Sequence, residues 1–547
     1  MSFRRLSWTP GPRASAALAL LAGALAASAH PPFGFLPGLL GYGLWLHLLD
    51  ANAERKPLRA AFWTGWLAGF AYFLIACWWV AEAFLVDARG QGWMAPFAVA
   101  LLPSGLGLFW GSASLLYRRL APRGLWRVLF FAGTVAGFEW LRGHVLTGFP
   151  WNLPGETWKA GSAPSQMASI LGAYGMSWVT LVLAAAPAAA LFAASRRERW
   201  IAAGLAAALL LGLYGFGWAR LATPLAPDPL APVVRVVQAD VRQEAKYDAD
   251  NYRDIVARYV RLTAQPAARR PDIVIWPEGA LPDSANSVLA PGSWTEAAIL
   301  GSLQPGQSLM MGTYRATEDG GRPVYFNSLV ALRRDAGGLR VTGLYDKHRL
   351  VPFGEYLPAE RLLTPLGFKD LTHIGDSFSP GPRPSPLSAY GIPRAQPLIC
   401  YESLFPGLAE AKGARPRWIV NVSNDAWFGV TSGPWQHLNL ASYRAIEQGL
   451  PIVRATPTGV SAIIDARGRA DPRLRLGSSR MGVIDAPLPP VSAPTIYSHS
   501  GDLIFLILLL ASVSKPGLYL GSALWRIVRD KRSRLGKTDA TGPAREH

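Results

Sequence analysis

Residues 395–407 read AQPLICYESLFPG and carry one of only two cysteines in a chain of 547 residues. Cys400 ends a short, continuously apolar run, which is typical of a strand buried on both faces of a sheet. Two further runs end in a similar way, at Glu278 in DIVIWPEGALP and at Lys347 in LYDKHRLVPFGEYLP. The stretch therefore predicts a layered α/β domain in which polar side chains stand where strands end.

The region around these runs, from about residue 230 to 495, alternates between short β-branched runs and helical stretches. The predicted strands are 233–238, 272–276, 308–312, 327–332, 396–400, 417–422, 451–455 and 461–465. The predicted helices are 249–264, with apolar residues on one side, and 434–449, which follows Gly433 and ends at Gly449. In α/β domains of this kind, chemistry collects at the loops that leave the carboxyl ends of strands.

A carboxylate, an amine and a thiol that meet at such an edge have complementary chemistry. A thiol near neutral pH is mostly protonated, so it needs a nearby base and a nearby positive charge before it reacts as a thiolate. Glu278 can take the proton, and Lys347 can favour the thiolate and then the oxyanion that forms when the sulfur attacks a carbonyl. Taken singly, each of these residue types at a strand end is more often structural or solvated.

Half of the residues are apolar and 21 are tryptophan, a composition typical of membrane proteins. Apolar runs long enough to cross a bilayer predict about eight transmembrane helices. They lie near 14–29, 33–49, 60–85, 93–117, 125–148, 166–195, 200–220 and 503–525. We therefore predict a bundle of seven transmembrane helices over 1–228, a catalytic α/β domain over 229–497, a last transmembrane helix over 498–530 and a basic cytoplasmic tail over 531–547.

The formal net charge is +18, and the location of the charges decides what it means. Lysine and arginine residues follow the second, fourth, sixth and eighth apolar runs, whereas the connections after the first, third and fifth runs are nearly free of them. By the positive-inside rule, both termini are cytoplasmic and the large domain faces outward. The charge is thus a topology signal, and nucleic acid is not an expected partner. The N-terminus also has the features of a cleavable signal peptide, so whether the first helix is retained stays open.

Three other features have less specific interpretations. Glu139 and Arg142, in FEWLRG, lie on one helical face, where they form either an intramembrane site or an ion pair that neutralises itself. Cys77, in AYFLIACWWV, is interpreted as a small buried residue. The eight histidines are scattered without ligand spacing, so neither a metal nor another cofactor is predicted.

The order and surroundings of the three polar residues resemble a known family. Glu278, Lys347 and Cys400, within WPE, DKxxLVPFGEYLP and CYE, look like the Glu-Lys-Cys site of the nitrilase superfamily of carbon-nitrogen hydrolases. The stretches FEWLRG, TGFPW, NVSNDAWFG, GPWQH and RAIEQGLPIVRAT are similar to one branch of it, the bacterial apolipoprotein N-acyltransferases. The resemblance implies a membrane helical bundle and a nitrilase-like αββα sandwich on the periplasmic side of the bacterial inner membrane.

The resemblance also implies acyl transfer in two half-reactions, without a cofactor. Cys400 would attack the sn-1 ester of a phospholipid, commonly phosphatidylethanolamine, leaving a thioester and a lysophospholipid. The α-amine of the N-terminal diacylglyceryl-cysteine of an apolipoprotein would then take the acyl chain as an amide, which completes lipoprotein maturation. Glu278 would be the general base and Lys347 the oxyanion stabiliser, and we expect a monomer.

Five supporting residues follow from the same resemblance. Glu355 is a second acidic residue near the amine, and Tyr401 and Glu402 flank the nucleophile and support its pocket. Trp427 lines the path by which the lipid reaches the site. Tyr247 stands near the place where the family commonly has a tryptophan and keeps an aromatic ring there.

Two further points concern the surroundings of the site. Residues 351–381, which include four large apolar side chains, resemble the mobile arm that covers the site in the family. An ordinary loop with a small core of its own is the alternative. Gly279 departs from the family pattern, which usually has a hydroxyl residue after the glutamate.

Two rival functions share much of this pattern. A membrane-tethered amidase would use the same three residues with water as the acceptor, but the apolar stretch 351–381 and the many membrane runs do not suit a small polar substrate. A non-catalytic scaffold or transporter with a decayed enzyme domain is the other rival. The retention of all three site residues argues against it.

Overall fold

The computed structural model describes residues 10–51, 57–120, 124–192, 195–246, 248–360, 377–410 and 413–514. The predicted basic tail (531–547) and residues 515–530 of the predicted last transmembrane helix (498–530) lie outside these ranges. Tyr247 and the central part of the predicted arm, residues 361–376, also lie outside them.

Helices occupy most of the described chain as far as residue 222. They are α1 (Pro12–Ser28), α2 (Leu40–Ala51), α3 (Pro57–Cys77), α4 (Ala81–Leu85), α5 (Ala95–Leu120), α6 (Trp126–His144), α7 (Ala168–Leu191) and α8 (Arg196–Ala222). Every apolar run predicted in this part of the chain coincides with at least one of these helices.

The expected number of about eight transmembrane helices is confirmed only in part. Four helical stretches of the described chain are long and apolar enough to cross a membrane: Pro57–Leu85, Gly92–Leu120, Pro164–Leu191 and Arg196–Ala222. Pro12–Ser28 and Leu503–Ser514 are shorter apolar helices, and α2 has only 12 residues. A full crossing takes about 20 apolar residues, and the charged residues within α6 lower its hydropathy.

Glu139 and Arg142 form a buried ion pair near the end of α6. Arg142 Nε donates to Glu139 Oε1 at 3.1 Å, and Trp110 Nε1 donates to the same oxygen at 2.9 Å. Arg142 also donates to the carbonyl of Phe149, in the loop after α6. The geometry therefore favours the self-neutralising pair over a separate intramembrane site, because the two charges bind each other and Arg142 also holds this loop.

Two six-stranded sheets form the domain that follows α8. The strands are β1 (Val233–Gln238), β2 (Ile273–Trp276), β3 (Ser308–Asp319), β4 (Arg322–Asp335), β5 (Gly338–Asp346), β6 (Leu387–Ala389), β7 (Ile392–Ile399), β8 (Trp418–Val422), β9 (Ile452–Ala455), β10 (Ser461–Ile464), β11 (Ala470–Leu476) and β12 (Gly482–Pro487). The first sheet has the order β12-β1-β2-β3-β4-β5 and the second β11-β10-β9-β8-β7-β6. Both sheets are mixed, with a parallel core of β1, β2 and β3 in one and of β7, β8 and β9 in the other.

The two sheets pack face to face, and helices cover their outer faces. Apolar side chains of both sheets, such as Val236 and Val420, share one buried core. The helices of the domain are α9 (Gln243–Lys246), α10 (Tyr252–Ala264), α11 (Ala285–Val288), α12 (Trp294–Ser302), α13 (Gly433–Gln448) and α14 (Ile496–Ser500). Helices α10 and α12 cover the first sheet, and α13 covers the second. The predicted αββα sandwich is thus confirmed.

Helix α13 also packs against the membrane helices, so it is buried on nearly every side. Asn439 Nδ2 donates to the carbonyl of Glu156 at 2.9 Å, and Tyr443 donates to the carbonyl of Gly155 at 2.9 Å. The helix ends at Gly449, whose φ of 65° suits a left-handed C-terminal residue, as the sequence predicts. Helix α13 therefore joins the second sheet to the membrane part.

The strands differ from the prediction mainly in length and at the sheet edges. β3 and β4 form a long hairpin, twice the predicted length, because its outer half is polar and largely exposed while still paired residue by residue. The edge strands β5, β6, β11 and β12 were not predicted, since they lack a continuous apolar run.

Candidate active site

The three polar residues that end predicted strands come together in one buried cluster. Glu278 lies two residues after β2, and Lys347 follows β5 directly; both strands belong to the first sheet. Cys400 follows β7 of the second sheet, so the cluster spans both sheets. Lys347 Nζ lies 3.0 Å from Glu278 Oε1, and the thiol of Cys400 is close enough to the Glu278 side chain to contribute to the lowering of its pKa.

Lys347 is held between two carboxylates. Its Nζ lies 3.0 Å from an oxygen of Glu355 as well as 3.0 Å from Glu278. Asn327 Nδ2 donates to the same two carboxylates, at 2.7 Å to Glu278 and 2.6 Å to Glu355. The second oxygen of Glu355 accepts the backbone N–H of Val351 at 2.7 Å. The predicted supporting residue Glu355 is therefore part of the cluster, where it fixes the position of the ammonium group.

Cys400 stands at a strained turn of the backbone. Its φ is 49°, which is in the left-handed region and is uncommon for a residue other than glycine. A short 3₁₀ helix, Cys400–Leu404, begins at this residue, and Glu402 Oε2 accepts the backbone N–H of Ile399 at 2.7 Å. The other oxygen of Glu402 accepts the hydroxyl of Tyr345 at 2.7 Å and the backbone N–H of His348 at 2.8 Å. Glu402 thus ties the cysteine turn to the residue that follows Lys347.

The pKa shifts define the resting protonation state of the cluster. Burial raises the pKa of Cys400 to about 12, with a further rise from Glu278 and an opposing effect of Lys347. Burial also works against the charge on Glu278, but the Lys347 ammonium and the hydrogen bond from Asn327 hold the pKa of Glu278 below its ordinary value. Burial opposes the charge on Lys347 too, yet Glu278 and then Glu355 raise its pKa. At neutral pH the cluster therefore holds a thiol, a carboxylate and an ammonium group.

Ser423 and Asn424, which follow β8, support two of the three groups and were not assigned a role from the sequence. The backbone N–H of Asn424 donates to Glu278 Oε2 at 2.7 Å. The side chain of Ser423 hydrogen-bonds to Cys400 and donates to Asp425 Oδ1 at 3.0 Å. The stretch NVSNDAWFG carries these residues, so its resemblance to the family was the available signal.

A buried histidine reaches the backbone of the cysteine. His437 Nε2 lies 3.3 Å from the carbonyl oxygen of Cys400, and His437 Nδ1 lies 2.9 Å from Asp425 Oδ1. Asp425 forms an ion pair with Arg454 at 2.7 Å. Burial and Arg454 lower the pKa of His437, so the ring is neutral at pH 7. His437 ends the stretch GPWQH, which resembles the family, but no role was predicted for it because a single histidine has no distinctive pattern.

The remaining predicted residues lie around the cluster. Tyr401 points toward the membrane part, where its hydroxyl donates to the carbonyl of Gly148 at 2.5 Å. Trp427 is partly buried in the turn Asp425–Phe428, beside a phenylalanine that packs edge-on against Trp79 with ring centroids 4.6 Å apart. Trp427 is thus near the junction of the two parts.

Comparison with known proteins gives matches over nearly the whole chain. Residues 22–186 match the family described as apolipoprotein N-acyltransferase N-terminal domain, and residues 233–490 match the carbon-nitrogen hydrolase family. The apolipoprotein N-acyltransferase of Caulobacter vibrioides is 59% identical over 511 residues, which cover 93% of this chain and 94% of that protein. Those of Allorhizobium ampelinum and Brucella melitensis biotype 1 are 38% and 39% identical, covering 92% and 90% of this chain and 96% and 94% of their own lengths.

Proposed function

This chain belongs to the apolipoprotein N-acyltransferase family, and on that premise we propose that it transfers the sn-1 acyl chain of a phospholipid through a thioester on Cys400 to lipoproteins. The acceptor is the α-amine of the N-terminal diacylglyceryl-cysteine. The single observation that carries the proposal is the buried cluster in which a thiol, a carboxylate and an ammonium group meet. Phosphatidylethanolamine is the proposed donor.

In the first half-reaction, Glu278 accepts the thiol proton while the sulfur of Cys400 attacks the sn-1 carbonyl carbon. The negative charge that develops on the carbonyl oxygen is stabilised by the ammonium of Lys347. When the C–O bond breaks, Glu278 returns the proton to the oxygen of the departing lysophospholipid. The resting protonation state supports this assignment, because the base is ionised and the thiol keeps the proton that the leaving group needs.

In the second half-reaction, the α-amine attacks the thioester carbonyl and forms an amide. Glu278 takes the proton that the amine loses, the C–S bond breaks, and the proton returns to the sulfur. Water competes with the amine for the thioester, so the pocket must exclude water and align the amine. The low exposure of Cys400, 8% of its surface, is consistent with such protection.

We also propose that the domain of residues 229–497 lies on the periplasmic side and that both termini are cytoplasmic. Two contacts support this orientation. Tyr401 bonds to Gly148, in the loop after α6, and Trp79, after α3, donates to Gln436 of α13 at 3.1 Å. Gly148 is the last residue of the fifth apolar run and Trp79 lies toward the end of the third, so both are near the connections that the distribution of basic residues assigns to the outer face. The three proposed catalytic groups come from one chain, which favours a monomer.

The proposal is tested with the purified protein, phosphatidylethanolamine carrying a labelled sn-1 chain, and a synthetic diacylated lipopeptide. We expect the label on Cys400 when the lipopeptide is omitted, read by mass spectrometry of the intact and digested protein, and an N-acyl lipopeptide when it is added. Free fatty acid as the only product would instead support a hydrolase. A Cys400→Ala variant that still becomes acylated would refute the role of the nucleophile.

A further inference from the structure

A second lysine lies beside the proposed general base. Lys246 ends the short helix α9, and its Nζ is directly above Gly279, the residue after Glu278. A Cβ atom on Gly279 would lie only 2.5 Å from this nitrogen, so the ammonium occupies the place of a side chain. Gly279 has a φ of 54°, which favours glycine, and both residues are partly exposed. The ammonium of Lys246 therefore stands at the rim of the site, whereas that of Lys347 stands at its floor.

The position of this lysine is set by the hydrogen bonds of the site itself. Gln243, at the start of α9, accepts a hydrogen bond from Asn424 Nδ2 at 3.0 Å. The backbone N–H of the same Asn424 donates to Glu278 Oε2 at 2.7 Å. Because Gln243 and Asn424 are both buried, α9 is fixed to the carboxylate. Lys246 is thus held at a defined distance from Glu278.

Among the described residues, the ammonium of Lys246 forms no ion pair, and Glu278 acts on it only through the electrostatic field. No hydrogen-bond or ion-pair partner of its Nζ is found in the part of the chain that the structure describes. The oxygens of Glu278, the nearest carboxylate, accept hydrogen bonds from Lys347, Asn327 and Asn424 instead. Burial lowers the pKa of Lys246 to about 8, and Glu278 opposes this shift. An ammonium that is partly desolvated and unpaired has an unmet preference for an anionic ligand.

We propose that Lys246 binds the phosphodiester group of the phospholipid donor. This inference rests on the function proposed above. When the sn-1 carbonyl is at Cys400, beside Glu278, the phosphate is separated from it only by the three carbons of glycerol. The phosphate is therefore within reach of the residues next to Glu278, and the ammonium over Gly279 is a cation at that position. The diacylglyceryl-cysteine acceptor carries no phosphate, so Lys246 serves the first half-reaction alone.

The test compares Lys246→Met with the unsubstituted protein in acylation of Cys400 by two donors. One donor is phosphatidylethanolamine, and the other is a p-nitrophenyl ester of the same fatty acid, which has no phosphate. We expect acylation at subsaturating phosphatidylethanolamine to fall about tenfold or more, as for one lost charge-assisted hydrogen bond. Acylation by the p-nitrophenyl ester should change less than about twofold, since Lys246 makes no contact with the acyl carbonyl in this assignment.

Three further measurements serve as controls for the Lys246→Met result. Lys246→Arg should retain most of the acylation by phospholipid, because it keeps the charge. Arg242→Met removes an exposed cation four residues earlier and should leave acylation by both donors unchanged. Release of a preformed acyl chain to the lipopeptide should be the same in Lys246→Met and the unsubstituted protein.

The outcomes separate the two proposals. An equal loss with both donors in Lys246→Met would show that the lysine acts through Glu278 and would overturn phosphate binding, as would no loss with either donor. Failure of the unsubstituted protein to take any acyl chain from phosphatidylethanolamine would overturn the proposed function, and the inference with it. A loss of Cys400 acylation in Lys246→Met that occurs with phosphatidylethanolamine but not with the p-nitrophenyl ester supports both the proposed function and phosphate binding by Lys246.

Discussion

Glu402 accepts the backbone N–H of Ile399 at 2.7 Å, so a side chain beyond the cysteine fixes the residue before it. Its other oxygen accepts the N–H of His348 at 2.8 Å. In Glu402→Gln one oxygen becomes an NH₂ group, which cannot accept the bond from Ile399 or the bond from His348, depending on which oxygen it replaces. We expect acylation of Cys400 to slow about tenfold to a hundredfold, since each lost bond to a charged group is worth about 1.5–3 kcal/mol.

The rate of acyl-enzyme formation by mass spectrometry measures this effect, and thermal unfolding reports the accompanying loss of stability. Glu318→Gln, at the exposed tip of the β3–β4 hairpin, is the matched control and should leave both quantities unchanged. An undiminished rate in Glu402→Gln would mean that the cysteine turn is held by other contacts.

Removal of Lys347 should lower stability because two carboxylates lose their cation, and it should lower activity because the oxyanion loses its cation. In Lys347→Met, two buried carboxylates, each 3.0 Å from the ammonium in the unsubstituted protein, lose their cation. We expect a loss of about 3–5 kcal/mol in the free energy of unfolding and no turnover. Adding Glu355→Gln removes one of the unpaired charges. The double variant should recover part of the stability, measured by chemical denaturation, while turnover stays absent because the oxyanion has no cation.

A double variant that regains turnover would contradict the assignment of Lys347 to the oxyanion. A single variant as stable as the original would contradict the ion-pair argument.

The pH dependence of acylation follows from the lowered pKa of Glu278. Glu278 is a carboxylate above its folded pKa, which lies below the ordinary value. The acylation rate should therefore not change with pH through the neutral range, and it should fall only in acid, where Glu278 becomes protonated. The same shift stabilises the fold above the unfolded pKa of a glutamate, and this contribution is lost as the pH falls through the folded pKa.

The acylation rate against pH, in single-turnover experiments with phosphatidylethanolamine, measures the acid limb. An acid limb near pH 7 would show that the working base has a raised pKa and is not Glu278. Glu278→Gln should lower the rate about 10²- to 10⁴-fold at neutral pH.

His437 offers a test of backbone positioning at the nucleophile. The ring lies 3.3 Å from the carbonyl of Cys400 and 2.9 Å from Asp425, whose charge is also held by Arg454. In His437→Leu we expect kcat to fall about tenfold, as for the loss of one or two hydrogen bonds, with KM for the phospholipid nearly unchanged. Steady-state kinetics separates these constants, and a rise in KM alone would place His437 in substrate binding.

The sequence predicted those parts of the structure that depend on local pattern. The runs before Glu278 and Cys400 are continuously apolar because their strands are buried on both faces, so the strands and their polar ends were identified correctly. The hydrogen bonds between Asn424 and Glu278, or between His437 and Cys400, join residues far apart in the chain. Such contacts have no local signal, and they emerge only when the two sheets and helix α13 pack together.

In the membrane part, too, features with a local sequence pattern were predicted and contacts that depend on tertiary packing were not. Apolar runs indicated where helices lie, but not that only four of the described helical stretches combine sufficient length and hydropathy. Glu139 and Arg142 were recognised as neighbours on a helix, whereas their bonds to Trp110 and to the carbonyl of Phe149 depend on tertiary packing.

Helix α13 is at once the outer layer of the catalytic sandwich and a packing partner of α7. A truncated, water-soluble version of the catalytic domain would expose side chains of this helix that the full chain buries, and would leave the carboxylate of Glu447 without the N–H of Ala173, which it accepts at 3.0 Å. Such a fragment should aggregate rather than fold. Any screen for inhibitors therefore requires the intact chain in detergent or lipid.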